Sequence, residues 1–137
     1  LNPYTIYVSS DNTAKIGEFR YALYDGLENH CNDNISIAVH YTAPESLDRV
    51  FSDKSDVWSF GVVLWSIYAR DCNPYRGKVV GPNFVENMKM YLKLGNRLDV
   101  PLNCPMELYA MMISTWVQEP TMRPSFTLLD EKLNLIK

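Results

Sequence analysis

By residue type, the side chains here that could do chemistry are three cysteines, the tyrosines of a long polar loop, and an interspersed set of acids and bases. Cys31, Cys72 and Cys104 stand far apart with no Cys-x-x-Cys spacing. An odd, scattered set argues for reduced thiols and a cytoplasmic setting over a disulfide framework or a zinc site. Thirteen Lys and Arg against sixteen Asp and Glu give a net charge of −3 without a basic face, so nucleic acid and anionic membrane are excluded as expected partners. Tyr21 and Tyr24 fall in a stretch from Arg20 to Ser36 that includes Asp25-Gly26, Glu28-Asn29 and Asn32-Asp33-Asn34 and shows no periodicity. A loop this long inside a compact domain is usually functional or disordered. Phosphate added to either tyrosine would bring charge close to basic groups and order the loop, the competing reading being unmodified loop tyrosines. The Met and aromatic residues that recur at helical spacing read as core and not as a cofactor site.

The elements that must position these residues are organised around Ser55 to Ala69. Between Asp56 and Arg70 its only ionisable group is the phenol of Tyr68, and its apolar residues fall on every side of a helical wheel. A helix apolar all round must be buried all round, and a membrane span would need roughly 18 apolar residues or more. Ser52, Asp53 and Ser55 supply capping oxygens before it, and Asn73-Pro74 stops any helix continuing beyond it. Gly61 inside the helix costs about 1 kcal/mol against Ala, which predicts close approach by another backbone. Upstream, Tyr4–Val8 and Ala14–Ile16 flank the polar turn Ser9–Asn12 and predict a short hairpin. Ala43–Leu47 predicts a short helical turn. Three more helices are expected: one carrying Phe84, Met88 and Tyr91 and ended by Gly95, one opened by Pro105 as its first residue, and one starting near Pro124-Ser125 with Leu129, Leu133 and Ile136 on one face. The class is therefore mainly α, with a small β-hairpin near the N-terminus. The chain starts at Leu1, not Met, and reads as a piece of something larger, with no leader, membrane run or repeat.

Several motifs share one order and spacing: Ala43-Pro44-Glu45, then Lys54-Ser55-Asp56-Val57-Trp58-Ser59-Phe60-Gly61, then Cys104-Pro105, Tyr109, Met112 and Trp116, then Glu119-Pro120 and Arg123-Pro124-Ser125-Phe126. The set resembles the C-terminal lobe of a protein tyrosine kinase catalytic domain, nearest to non-receptor kinases of the C-terminal Src kinase and spleen tyrosine kinase kinds. Tyr41 departs from the pattern, since tyrosine kinases usually carry Trp there. The resemblance implies the C-lobe of the protein-kinase-like α+β fold over 1-137. Residues 1-19 would be the catalytic-loop end and hairpin, 20-45 the activation segment, and 46-137 the helical subdomain. It also implies structural roles: Glu45 paired with Arg123 in a buried ion pair, Asp56 accepting hydrogen bonds from the catalytic-loop backbone, and Trp58 in the framework around them.

The same alignment implies that the catalytic positions are degenerate. Lys15-Ile16-Gly17-Glu18-Phe19-Arg20 stands against Lys-Ile-Ala-Asp-Phe-Gly, so Glu18 replaces the magnesium Asp and Thr5 falls where the magnesium Asn belongs. The base would lie one residue before Leu1, and the substrate-positioning Arg is missing from Leu1-Asn2-Pro3-Tyr4-Thr5. Glu18, Phe19 and Arg20 are the residues expected to face any nucleotide, with the Arg20 guanidinium standing where metal and phosphates would otherwise meet. Magnesium demands near-ideal octahedral geometry at about 2.1 Å, and a misplacement of about 1 Å costs on the order of 10²-fold in rate. The family's ATP and Mg²⁺ are therefore expected to be held poorly. The expected function is a pseudokinase acting as scaffold or allosteric partner in phosphotyrosine signalling, with a kinase or signalling protein as partner. The alternatives are part of an active tyrosine kinase whose N-lobe and catalytic Asp lie upstream, and a decaying copy that gives an insoluble product. The face that would meet an N-lobe is expected to leave an apolar patch.

Overall fold

The computed structural model describes residues 1–19, 22 and 37–136. Arg20, Tyr21, Tyr24 and Cys31, with the expectations attached to them, lie outside the described residues. Helix α1, Asp53–Ala69, is the centre of the fold. Its N-cap is Ser52, which accepts from the Ser55 amide while the Ser55 hydroxyl accepts from the Ser52 amide at 3.0 Å, a reciprocal capping box. From Val57 to Ser66 no residue is exposed, as an all-round apolar helix requires. The last turn breaks that rule: Ile67 is 63% exposed, so the central helix is enclosed only up to Ser66. Arg70, at φ 51°, ends the helix in the left-handed region, three residues before Asn73-Pro74.

Gly61 marks a close approach, but by side chains and not by backbone. A Cβ there would sit 1.9 Å from Thr115 Oγ1 and 2.8 Å from Trp116 Nε1, so glycine is required for α3 to seat on α1. Helix α3 spans Met106–Thr115. Pro105 stands one position earlier than expected, as its N-cap with ψ 138°, an extended conformation in which it ends the preceding segment. Helix α2, Phe84–Lys93, is followed by Gly95 at φ 84°, the left-handed position that releases the chain. Helix α4, Phe126–Leu135, is capped by the Ser125 hydroxyl accepting from the Leu128 amide at 3.2 Å. The core gathers Val57, Trp58 and Val62 of α1, Met88 and Leu92 of α2, Leu108 and Met112 of α3, and Leu129 of α4, with Leu98 and Trp116 from the connections. The Met and aromatic stripes are thus core.

At the N-terminal end, β1 (Ile6–Val8) pairs antiparallel with β2 (Ala14–Ile16), Ile6 opposite Ile16 and Val8 opposite Ala14. The first strand is shorter than the Tyr4–Val8 pattern predicts. Pro3 fixes φ and Asn2 caps a 3₁₀ turn over Pro3–Thr5, which takes Tyr4 and Thr5 out of the strand. None of residues 1–19 is buried. The turn expected from Ala43 is a 3₁₀ helix over Glu45–Asp48, closed by Arg49 at φ 66°.

Candidate functional site

The hairpin register brings Thr5 and Glu18 to one end of the sheet. With Ile6 opposite Ile16, Thr5 meets Gly17, whose amide donates to the Thr5 carbonyl at 2.9 Å, and Glu18 is the next residue. The Thr5 side chain is turned onto its own turn. Its Oγ1 donates to the Asn2 carbonyl at 2.9 Å and accepts from the Asn2 amide at 3.2 Å. Glu18 sits at φ 59°, a left-handed conformation that few non-glycine residues adopt, and its Oε1 accepts from the Tyr7 hydroxyl at 3.3 Å. The Tyr7 ring covers Gly17 so closely that a Cβ on residue 17 would lie 2.8 Å from Cε2. Phe19 is 66% exposed.

This donor set does not fit a magnesium ion. Magnesium is held by unencumbered carboxylate oxygens together with water and phosphate oxygens. Here one position offers a hydroxyl already closed in a capping box, and the other a carboxylate oxygen already accepting from a phenol. Among the described residues no cluster of three or more His, Cys, Asp or Glu side chains could hold a metal ion.

A second cluster ties the sequence-distant ends of the helical body together. Arg123 Nη1 and Nη2 donate to Glu45 Oε1 and Oε2 at 2.6 and 2.8 Å, a bidentate pair. The remaining donors are also used: Nη1 to the Lys54 carbonyl at 2.9 Å, Nη2 to the Gln118 carbonyl at 3.3 Å, and Nε to the Val117 carbonyl at 2.9 Å. All five guanidinium donors have acceptors, which lets a charged side chain with no exposed surface sit in the core. Lys54 returns the connection, its Nζ donating to the Arg123 carbonyl at 2.9 Å. The Trp58 ring carries the guanidinium of Arg123 at 5.0 Å from its centroid, and that of Arg97 at the same distance.

Arg97 is a framework residue that sequence reasoning missed. Its Nε donates to the Trp116 carbonyl at 2.7 Å and its Nη1 to the Leu92 carbonyl at 3.0 Å, joining the ends of α2 and α3. Burial lowers its pKa, opposed by the nearby Tyr75 phenol. A basic residue two positions beyond a helix-ending glycine was the only signal. Tyr41 is buried in a polar socket: its hydroxyl donates to the Cys72 carbonyl at 2.9 Å and lies 3.2 Å from Ser66 Oγ, while Ser59 Oγ donates to its carbonyl at 2.8 Å. That socket holds a phenol at the position where the resemblance expects Trp. Burial raises its pKa.

The Asp56 side chain is 64% exposed, and the backbone nitrogen of Leu1, at the expected catalytic-loop end, stands 3.8 Å from its Oδ1. The structure thus gathers Thr5 with Glu18 at the hairpin, and Glu45, Trp58 and Arg123 in the body.

Residues 4–133 match the family model described as protein tyrosine and serine/threonine kinase. Over 136 residues, 96% of the chain, the sequence is 39% identical to fibroblast growth factor receptor 1 of Xenopus laevis. The chain spans 16% of the length of that curated relative. The relative is a growth factor receptor, so the expected likeness to non-receptor kinases of the C-terminal Src and spleen kinds gains no support.

Proposed function

The chain belongs to the protein tyrosine and serine/threonine kinase family, and on that premise we propose that it is the C-lobe of a pseudokinase, kept as a scaffold or allosteric partner in phosphotyrosine signalling. The observation that carries this reading is the Thr5 capping box. The side chain at the position of the family's metal-binding Asn is an alcohol whose proton and acceptor face both serve Asn2, so it builds the turn and leaves the metal. Glu18, a methylene longer than the family's Asp, adds to the misfit. The helical framework is retained with full hydrogen bonding around Arg123, as a chain kept for its surface would require.

Residues 1-19, 20-45 and 46-137 serve in this reading as catalytic-loop end, activation segment and helical subdomain. The partner is a kinase or other signalling protein. A cytoplasmic setting is proposed from the free thiols of Cys72 and Cys104; no helix among the described residues is long and apolar enough to cross a membrane. The identity to a receptor favours a receptor-type parent chain. It also sustains the second reading, part of an active tyrosine kinase with the N-lobe and base upstream.

Nucleotide binding tests the proposal. Where ATP binds the full-length protein, Arg20 supplies fixed positive charge, so calorimetry should give the same affinity with magnesium and with chelator. An affinity that collapses in chelator contradicts it.

A further inference from the structure

An open trough of about 510 Å³ lies between α3 and the end of α4, with Glu107, Ala110 and Met111 on one wall and Lys132, Leu135 and Ile136 on the other. Both walls follow one pattern, a charge with apolar residues three and four places further on. Neither charge has an opposite one three or four places away along its own helix, where a surface ion pair would form. Neither makes an ion pair or a hydrogen bond among the described residues. Leu135 is 79% exposed, and it stands in this apolar row and not singly.

We propose that the trough is the contact surface for a second copy of this chain, in an isologous pairing that sets Glu107 of each copy against Lys132 of the other and lays each Leu135 in the opposite trough. The charges select the occupant. A trough of one sign suits a partner of the other sign, whereas one acid and one base across an apolar floor are complementary to themselves, because a two-fold axis exchanges the walls. The apolar floor supplies the buried centre of the contact, and the two ion pairs form a rim that fixes orientation more than affinity. The surface is built from residues of the helical body alone and does not depend on the pseudokinase reading.

Carbodiimide crosslinking of the full-length protein tests it. The reagent joins a carboxylate and an ammonium in direct contact as an amide, with loss of water and no spacer. E107K and K132E each carry only one sign of charge at positions 107 and 132, so neither can form a 107–132 crosslink alone. Both positions are exposed, so the fold is kept. Mixed, the two variants present opposite charges at both contacts, and the proposal expects 107–132 crosslinked peptides by mass spectrometry, necessarily joining two chains. Adding Leu135→Ser to both should cut the yield roughly tenfold at low protein concentration, since each copy loses a leucine from the buried centre. A mixture without the 107–132 crosslink overturns the proposal, and so does a yield that Leu135→Ser leaves unchanged.

Discussion

The helical body and the N-terminal hairpin treat their polar residues in opposite ways. In the body, Arg123 is fully enclosed and spends every donor, on the sequence-distant Glu45 and Lys54 and on the Val117 and Gln118 carbonyls just upstream of it. In the hairpin nothing is buried, and the polar groups at the degenerate positions satisfy themselves within a few residues or across one strand: Thr5 with Asn2, Glu18 with Tyr7. A buried charge left without partners costs several kcal/mol, so every change around Arg123 is felt by the fold. An exposed carboxylate bears no such cost, and the hairpin is free to take partners that suit the turn. In the pseudokinase reading, this contrast accounts for a family framework that persists while the proposed metal positions change.

The largest effect should come from Arg123→Ala, which strands Glu45 and three carbonyls and should lower stability by about 3–5 kcal/mol, read as the loss of cooperative unfolding at the wild-type urea midpoint. A variant within 1 kcal/mol of wild type, roughly the value of a surface pair, would erase the contrast. Next is Gly61→Ala, whose methyl meets Thr115 and Trp116 and should cost about 1–3 kcal/mol or more through displacement of α3 from α1. Unchanged thermal melting there would mean that the α1–α3 contact is looser than it looks.

A smaller, pH-dependent effect is expected at His40, whose ring lies 4.8 Å from Phe84 and whose pKa is lowered from 6.5 by burial. The folded state then binds fewer protons than the unfolded one, so stability is full above pH 6.5 and falls as the pH drops towards the lowered folded value. His40→Gln should flatten the melting temperature between about pH 7 and about pH 5, a window in which most carboxylates stay ionised. The smallest effect belongs to the hairpin: Val8→Ala, on an exposed strand, should stay within about 0.5 kcal/mol. A larger loss would show that the hairpin carries part of the fold's stability.

How far these regions are legible in sequence depends on how local their causes are. The central helix shows itself because its apolar residues surround the wheel, and its cap because Ser52 and Ser55 stand at capping-box spacing. Its exposed last turn does not, since Ile67 reads as apolar wherever it points. Pro105 sets the start of α3 to within one residue, because a fixed φ suits both a cap and a first turn. Gly61 announces a close contact without saying that Thr115 and Trp116 make it. Glu45 and Arg123 are 78 residues apart, and only the family resemblance puts them side by side. Arg97 and Tyr7 escape for the same reason in reverse: no local pattern and no family motif separates a basic residue after a glycine, or a tyrosine in a strand, from its neighbours. Only the resemblance, too, points Asp56 at the catalytic-loop backbone, and the Leu1 nitrogen stands 3.8 Å from it.

Phosphoryl transfer by the full-length protein tests the central claim most directly. Incorporation of labelled γ-phosphate from ATP with magnesium into the protein and a generic tyrosine peptide should stay at background for the wild type. Thr5→Asn, Glu18→Asp and Arg20→Gly together should raise it wherever the upstream base is present, by on the order of 10²-fold or more. Robust transfer by the wild type, unchanged by that restoration, would contradict the account.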